Sequence, residues 1–208
     1  MTLRTDSNRS LRILDLAVVG LTSPGWGPLL AGCALLCRVA QGAPVIFTQE
    51  RAGLHAEPFT AYKFRTMIND ADSYLDDSGA PTRQRVTPTG ALLRRTGLDE
   101  LPQIANVIRG DMSLVGPRPV LPSWVDRFPE GASHPRFRTR PGLTGLAQIA
   151  GRNTVLWSER LTLDTRWSDT ASVRLYLSTL LRTPLALLRP TVSADRNAHA
   201  VDDLQQPA

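Results

Sequence analysis

Apolar residues run from Ile13 to Cys37 and are interrupted at their centre by Ser23-Pro24-Gly25-Trp26-Gly27-Pro28. The run is long enough to cross a bilayer, which takes about 20 residues, but each half makes only about 15 Å of helix, roughly halfway through the hydrocarbon. The pattern predicts a re-entrant helical hairpin, broken at Ser23-Pro24, that enters and leaves by one face. Arg4, Arg9 and Arg12 precede it and Arg38 follows, so positive charge marks both ends as cytoplasmic. A kinked spanning helix is the rival, because proline is tolerated in membrane helices. Leu30-Ala31-Gly32-Cys33 imitates a lipobox, yet two prolines interrupt the apolar stretch before it and the chain stays apolar through Cys37. Asp15 is awkward within such a stretch and tolerable near the interface.

Past Gly42 the periodicity changes. Val45-Ile46-Phe47 and the alternating run Phe59 to Met67 read as strands, paired as a hairpin across the Gly53 to Pro58 turn. Ile68 to Asp77 reads as a short acidic helix and Ser78 to Pro88 as a mobile polar loop. Pro102 is tolerated only in a first helical turn, so a helix begins near Asp99, presents Leu101, Ile104, Val107 and Ile108 on one face, and closes at Gly110. Helical patterns recur near Leu121 to Phe128, Leu156 to Trp167 and Val173 to Leu188. In the last, leucines face Arg174, Arg182 and Arg189, which suits either a membrane surface or a core contact, and Pro184 kinks or divides it. The organisation expected is a membrane segment over 1–40, a catalytic domain over 41–189 and a disordered tail over 190–208. The fold class is mainly α with a small β-hairpin.

Composition narrows the partners. Of 208 residues, 42% are hydrophobic, ordinary for a folded chain, and the net charge is +5. Lys63 is the sole lysine among 24 basic residues, and an arginine-rich surface suits phosphates and anionic membranes. No basic run with interleaved aromatics and no zinc-finger spacing occurs, so nucleic acid is not an expected partner. Cys33 and Cys37 read as small buried hydrophobes, and His55, His134 and His199 lack ligand spacing.

The candidate chemistry lies between Leu98 and Pro119, where Asp99 and Glu100 stand together at a helix start. Taken alone they suit an N-cap and a helix dipole. The same stretch ends in Gly116-Pro117-Arg118-Pro119, whose prolines display a guanidinium at low entropic cost, a group suited to bidentate phosphate contacts. Lys63-Phe64-Arg65 and the glycine-rich stretch Arg140 to Asn153 are further phosphate-holding candidates, with Gly142, Gly145 and Gly151 expected to let a ligand approach the backbone. Neither a P-loop nor a dinucleotide-binding glycine pattern is present.

Together these segments resemble the bacterial sugar transferases that are monotopic phosphoglycosyl transferases. The resemblance covers Leu14 to about Leu188. It rests on Ser23-Pro24, Phe47-Thr-Gln-Glu-Arg51, Tyr62-Lys-Phe-Arg-Thr-Met67, Leu98-Asp-Glu-Leu-Pro-Gln103, Asn106 to Pro119, Arg140 to Asn153 and Leu163-Asp164, in order and at consistent separations. Thr48, Ala52 and Trp167 depart from the family pattern, which leaves the role of Asp164 open.

The resemblance implies transfer of a sugar-1-phosphate from a UDP-sugar to polyprenol phosphate at the cytoplasmic face of a bacterial inner membrane, in exopolysaccharide, O-antigen or glycoconjugate assembly. It implies Asp99 as nucleophile with Glu100 assisting, Mg²⁺ held by Asp99 and Glu100, and substrate contacts from Lys63, Arg65, Arg118, Pro119, Arg140, Gln148, Arg152 and Asn153. Membrane lipid is a further expected partner and a homodimer is left open. A nucleotide-sugar pyrophosphatase and a catalytically silent membrane scaffold are the alternatives. The sequence does not name the sugar.

Overall fold

A computed structural model describes residues 3–69, 85–151, 154–188 and 204. The expected acidic helix and the loop after it fall largely on residues 70–84, outside the described residues, as does the tail apart from Leu204.

The first element, α1, spans Leu3–Gln41 as one helix of 39 residues with Pro24 and Pro28 inside it. The helix does not end at Ser23-Pro24, contrary to the sequence expectation, and the reason is local. Pro24 has no N–H for the carbonyl of Gly20, and the Ser23 hydroxyl donates to that carbonyl instead at 2.8 Å. Thr22 Oγ1 donates to the Val18 carbonyl at 2.6 Å and Trp26 Nε1 to that of Val19 at 2.9 Å. Side chains thus serve the three carbonyls around the proline. This is the one described helix long and apolar enough to cross a membrane.

Both halves of α1 are seated on the rest of the chain. Leu11 and Val19 share a core with Ile104, Val107, Met112, Val115, Trp167 and Tyr176, whereas Cys33 and Cys37, both free thiols, pack with Phe64 and Leu93. Asp15, out of place by sequence, is buried and accepts from Ser113 Oγ at 2.9 Å, Leu114 N at 2.8 Å and Tyr176 Oη at 2.9 Å. A buried carboxylate with three donors staples the helix to the domain, and deleting one donor costs about 1–3 kcal/mol. Ile13, Leu21, Leu35 and Val39 stay exposed on the other side.

The expected hairpin forms. Strand β1 (Ile46–Ala52) pairs antiparallel with β2 (Pro58–Phe64), from Ile46 opposite Phe64 to Ala52 opposite Pro58. Helix α2 (Pro88–Thr96) starts with Thr87 as N-cap, accepting from Gly90 N at 2.9 Å, and ends at Gly97 with φ 75°. A 3₁₀ turn over Leu98–Gln103 then leads into α3 (Ile104–Arg109), closed by Gly110 at φ 95°. The stop at Gly110 agrees with the sequence reading, whereas the stretch from Asp99 is a 3₁₀ turn containing Pro102 and the α-helix begins only at Ile104. Ile108, expected on the apolar face, is half exposed.

The sequence did not reveal strands β3 (Ser113–Val115) and β4 (Gly142–Thr144), a parallel pair of three residues each. Gly142 and Gly145 serve this pairing rather than a ligand, since a Cβ on either would collide with the Gly116 backbone. Helices α4 (Leu146–Ala150), α5 (Trp157–Thr170) and α6 (Val173–Leu188) complete the fold, and α6 continues through Pro184. Both readings of α6 meet in it: Tyr176 and Thr179 are buried, while Val173, Leu177, Leu181 and Leu185 form an exposed apolar row. A second core joins Val120, Val125, Phe128, Phe137, Trp157 and Leu161.

Candidate active site

The two carboxylates at the start of the 3₁₀ turn have opposite fates. Glu100 Oε1 accepts from Lys63 Nζ at 2.9 Å and from an Arg118 Nη at 2.6 Å, and Oε2 accepts from the other Nη at 3.2 Å. Asp99 makes no hydrogen bond or ion pair among the described residues. Three separate elements meet here: β2 brings Lys63, the Gly97-initiated turn brings the carboxylates, and the loop after β3 brings Arg118. Asn106 fixes their spacing. Its amide nitrogen donates to the Thr60 carbonyl at 2.7 Å and its amide oxygen accepts from Tyr62 N at 3.2 Å, which ties α3 to the strand bearing Lys63.

Electrostatics separate the pair further. Burial works to raise the Glu100 carboxyl, but Arg118 and Lys63 outweigh it and hold its pKa far below the ordinary range. Asp99 goes the other way, raised by burial and by the negative charge of Glu100, against the pull of Lys63, Arg94 and Arg118. Burial lowers the Lys63 pKa, whereas the Glu100 charge raises that of Arg118. The result is one locked carboxylate between two cations and one uncommitted, more basic carboxylate beside it.

Mg²⁺ usually takes one or two carboxylates and fills its remaining positions with water and phosphate oxygens. Both Glu100 oxygens already accept from cations, so Asp99 is the open donor, and no group of three His, Cys, Asp or Glu converges among the described residues. That donor set fits a Mg²⁺ ion bound chiefly through substrate.

Of the residues expected at the site, Asp99, Glu100, Lys63 and Arg118 are brought together. Pro119 adjoins them, its carbonyl 3.5 Å from an Nη of Arg51. Arg65 is elsewhere, donating to the carbonyls of Gln41, of Gly42 at 3.1 Å and of Ala43 at 3.2 Å, and to Asn69 Oδ1. Arg140 donates through Nε to the Gly110 carbonyl at 2.7 Å, where Arg12 also serves Val107 and Ile108. Both arginines expected to hold phosphate instead cap helix C-termini, whose open carbonyls and negative dipole ends attract cations. Gln148 has both amide atoms buried without a hydrogen-bond partner among the described residues, and its Oε1 lies against Gly145. Arg152 and Asn153 lie outside the described residues.

The sequence reading missed Arg51 and Arg94 as charges around the dyad, although Arg51 sits in the Phe47 to Arg51 segment singled out for resemblance. It also missed a second buried cluster behind Arg118. One Nη of Arg136 donates to the Arg118 carbonyl at 2.7 Å and lies 3.3 Å from Asp164 Oδ2, with both side chains at most 2% exposed. The Arg136 guanidinium stacks over Phe128 at 4.8 Å, and Arg160 over Trp157 at 4.5 Å. Burial pushes Asp164 up to about 6 despite Arg136 and Arg160, and lowers Arg160 to about 10.

Comparison with known proteins places the chain in a family. Residues 7–190 match the family model described as bacterial sugar transferase. The chain is 45% identical over 146 residues (70% of this chain, 71% of the relative) to an uncharacterized sugar transferase of Bacillus subtilis. It is 40% identical over 186 residues (85% and 69%) to the UDP-glucose:undecaprenyl-phosphate glucose-1-phosphate transferase of Caulobacter vibrioides. To the exopolysaccharide production protein ExoY of Sinorhizobium fredii it is 35% identical over 190 residues (82% and 84%).

Proposed function

The chain belongs to the bacterial sugar transferase family and is a phosphoglycosyl transferase, and from that premise we propose that it passes a sugar-1-phosphate from a UDP-sugar to undecaprenyl phosphate through a covalent intermediate on Asp99. The observation that carries this reading is the contrast inside the dyad: Glu100 is clamped by Lys63 and Arg118, while Asp99 has no partner among the described residues.

In the first step an Asp99 carboxylate oxygen attacks the sugar-bearing phosphorus, the bond from that phosphorus to the bridging oxygen breaks, and UMP leaves. The acceptor phosphate oxygen then attacks the same phosphorus, forms the diphosphate link to the lipid and returns Asp99 as a free carboxylate. Two displacements replace one encounter between polyanions. Arg118 and Lys63 neutralise charge at the diphosphate, with Arg51 and Arg94 widening the positive field, and Gln148 supplies an unsatisfied amide for a polar group of the donor. Asp99, as the open carboxylate, would hold a Mg²⁺ ion together with substrate oxygens, and the ion would add charge neutralisation at the phosphates. Arg152 and Asn153 remain candidate donor contacts by resemblance.

Residues 1–40 act in this reading as a re-entrant anchor, and 41–189 as the catalytic part at the cytoplasmic face of the inner membrane. Support comes from α1, whose residues near 11–19 and near 33–37 are both buried against the same domain, which favours both ends lying on one side of the bilayer. The exposed row Val173, Leu177, Leu181 and Leu185 on α6 suits a lipid surface beside it.

The test is UMP release by protein in detergent or nanodiscs with Mg²⁺, undecaprenyl phosphate and a panel of UDP-glucose, UDP-galactose and N-acetylated UDP-hexosamines, beside Asp99→Asn. Release that needs both substrates and vanishes in the variant supports the transferase and names its sugar. Sustained release without lipid acceptor marks a pyrophosphatase, and equal release by Asp99→Asn removes the proposed nucleophile.

A further inference from the structure

Arg118 is held from both ends, and its two partners lie in different parts of the molecule. Its guanidinium grips Glu100, whereas its main-chain carbonyl accepts from Arg136 at 2.7 Å. Arg136 comes from the 3₁₀ turn Pro135–Arg138, and Asp164, on α5, stands 3.3 Å from the same Nη. The inner part of the arrangement is closed to solvent, since Arg136 and Asp164 are both about 2% exposed. A buried arginine with a single carboxylate partner is a poor way to gain stability, because desolvation opposes the pair. Its geometry has another use. One nitrogen donates to the backbone of a loop whose neighbours, Pro117 and Pro119, leave little other freedom, and the acid lies 3.3 Å from it as an ion pair without a hydrogen bond.

Stacking completes the arrangement. Phe128, Phe137 and Trp157 surround the Arg136 guanidinium at 4.8, 5.6 and 5.9 Å, which fixes its plane and aims the shared Nη at the Arg118 carbonyl. Asp164 Oδ2 faces that nitrogen from the helix side as a charge 3.3 Å away, and it touches neither carboxylate of the dyad.

We propose that Asp164 and Arg136 are positioning residues that hold the Pro117-Arg118-Pro119 loop in register with Glu100, and that the rate of phosphosugar transfer to Asp99 depends on them. The inference rests on the reading of Asp99 as nucleophile. Loss of about 1 Å of register at a reacting centre can cost on the order of 10²-fold in rate.

The experiment measures the first half-reaction alone, as the burst of UMP formed when wild type, Asp164→Asn, Asp164→Glu and Arg136→Lys meet the UDP-sugar that supports turnover, with no lipid acceptor. Burst amplitude counts correctly folded sites, and the burst rate constant reports how well each site is aligned. The expected result is a rate constant lowered by roughly 10–100-fold in Asp164→Asn and in Arg136→Lys, with amplitude kept and with partial recovery in Asp164→Glu. A reduced amplitude at an unchanged rate constant means that the pair only supports folding, and overturns the proposal. So does a rate constant within about twofold of wild type in both variants.

Hydrogen exchange of the amides from Gly116 to Val120 gives a second reading that needs no donor. Faster exchange there in Asp164→Asn, with the β1–β2 hairpin unchanged, is expected, and unchanged exchange in the loop overturns the proposal. Asp99→Asn separates the two claims: a wild-type burst that persists in that variant removes the nucleophile, whereas a burst lost only there leaves the reading intact and tests the pair alone.

Discussion

Glu100, about 20% exposed beside Arg118, and Asp164, 2% exposed beside Arg136, are both carboxylates facing arginine, yet their acidities move apart. Glu100 has three hydrogen bonds from two cations shared over both oxygens, and its pKa is held far below the ordinary value. Asp164 has one contact at 3.3 Å to a guanidinium whose nearest acceptor is a backbone carbonyl, and desolvation pushes it up to about 6. Desolvation works to raise both. The number and quality of donors decides the sign. The first arrangement keeps a charge fixed beside the proposed nucleophile, and the second sets a mechanical contact with little charge to spare.

Breaking the Glu100 clamp has the largest expected effect. Arg118→Lys keeps a positive charge but loses the two-pronged contact, and an ammonium is not an equivalent of the guanidinium at a bidentate site. Turnover is expected to fall by on the order of 10²–10³-fold, comparable with loss of one preorganised donor at a transition state. Steady-state UMP release with saturating donor and acceptor measures it, and a loss of less than about tenfold means that the clamp is not part of the chemistry.

The Asp164 side is tested by pH and stability. Between the ordinary value of 3.8 and about 6, the folded chain keeps a proton on Asp164 that the unfolded chain has released. This group therefore makes the folded state lose stability as pH rises through that window, by on the order of 3 kcal/mol, with no further change above it. Thermal unfolding in detergent from pH 4 to 7 is expected to show a component of this sign in wild type that is absent from Asp164→Asn. Parallel curves for the two proteins contradict the assignment.

Much of the Glu100 side was legible in the sequence and little of the Asp164 side was. Gly110 marks the stop of the signature helix by a rule that acts within a few residues, and the alternation from Phe59 to Phe64 carries the hairpin. The adjacent acids alone suit a helix start, and it is the arginine between two prolines in the same stretch, together with the family resemblance, that marks them as a site. Arg136 and Asp164 are 28 positions apart with no shared periodicity, so only the tertiary fold joins them. The β3–β4 pair is three residues per strand, too short to alternate visibly. The sequence reads Gly142 and Gly145 as letting a ligand approach the backbone, and the chain that approaches is instead the Gly116 backbone, which glycine content alone does not distinguish. At Pro24 the sequence shows the missing N–H and not the Ser23, Thr22 and Trp26 donors that compensate around it.

The acidity of Asp99 gives a finer test of the same contrast. Its pKa is raised by burial first and by Glu100 second, so the acid limb of the pH–rate profile sits above the ordinary aspartate range, with activity rising as Asp99 ionises. Glu100→Gln removes the neighbouring negative charge and leaves Lys63 and Arg118 free to act on Asp99. The residual activity of that variant is expected to have its acid limb moved to lower pH. A limb that stays in place means that Asp99 is not the group titrating in the rate.

The smallest effect belongs to an ion pair of the same chemistry without burial. Arg138 and Asp169 are 4.0 Å apart and about half exposed, on the same turn and helix that carry Arg136 and Asp164. Water screens such a pair, and two mobile side chains lose entropy when held together, so its net worth is about 0–1 kcal/mol. Asp169→Asn is expected to leave turnover within about twofold and to change unfolding free energy by less than about 0.5 kcal/mol. The pair lies five residues along α5 from Asp164, so the variant also controls for disturbance of the helix itself. If Asp169→Asn slowed the burst as much as Asp164→Asn, the slowing would belong to α5 as a whole, and the contact between Arg136 and the Arg118 carbonyl would lose its special place.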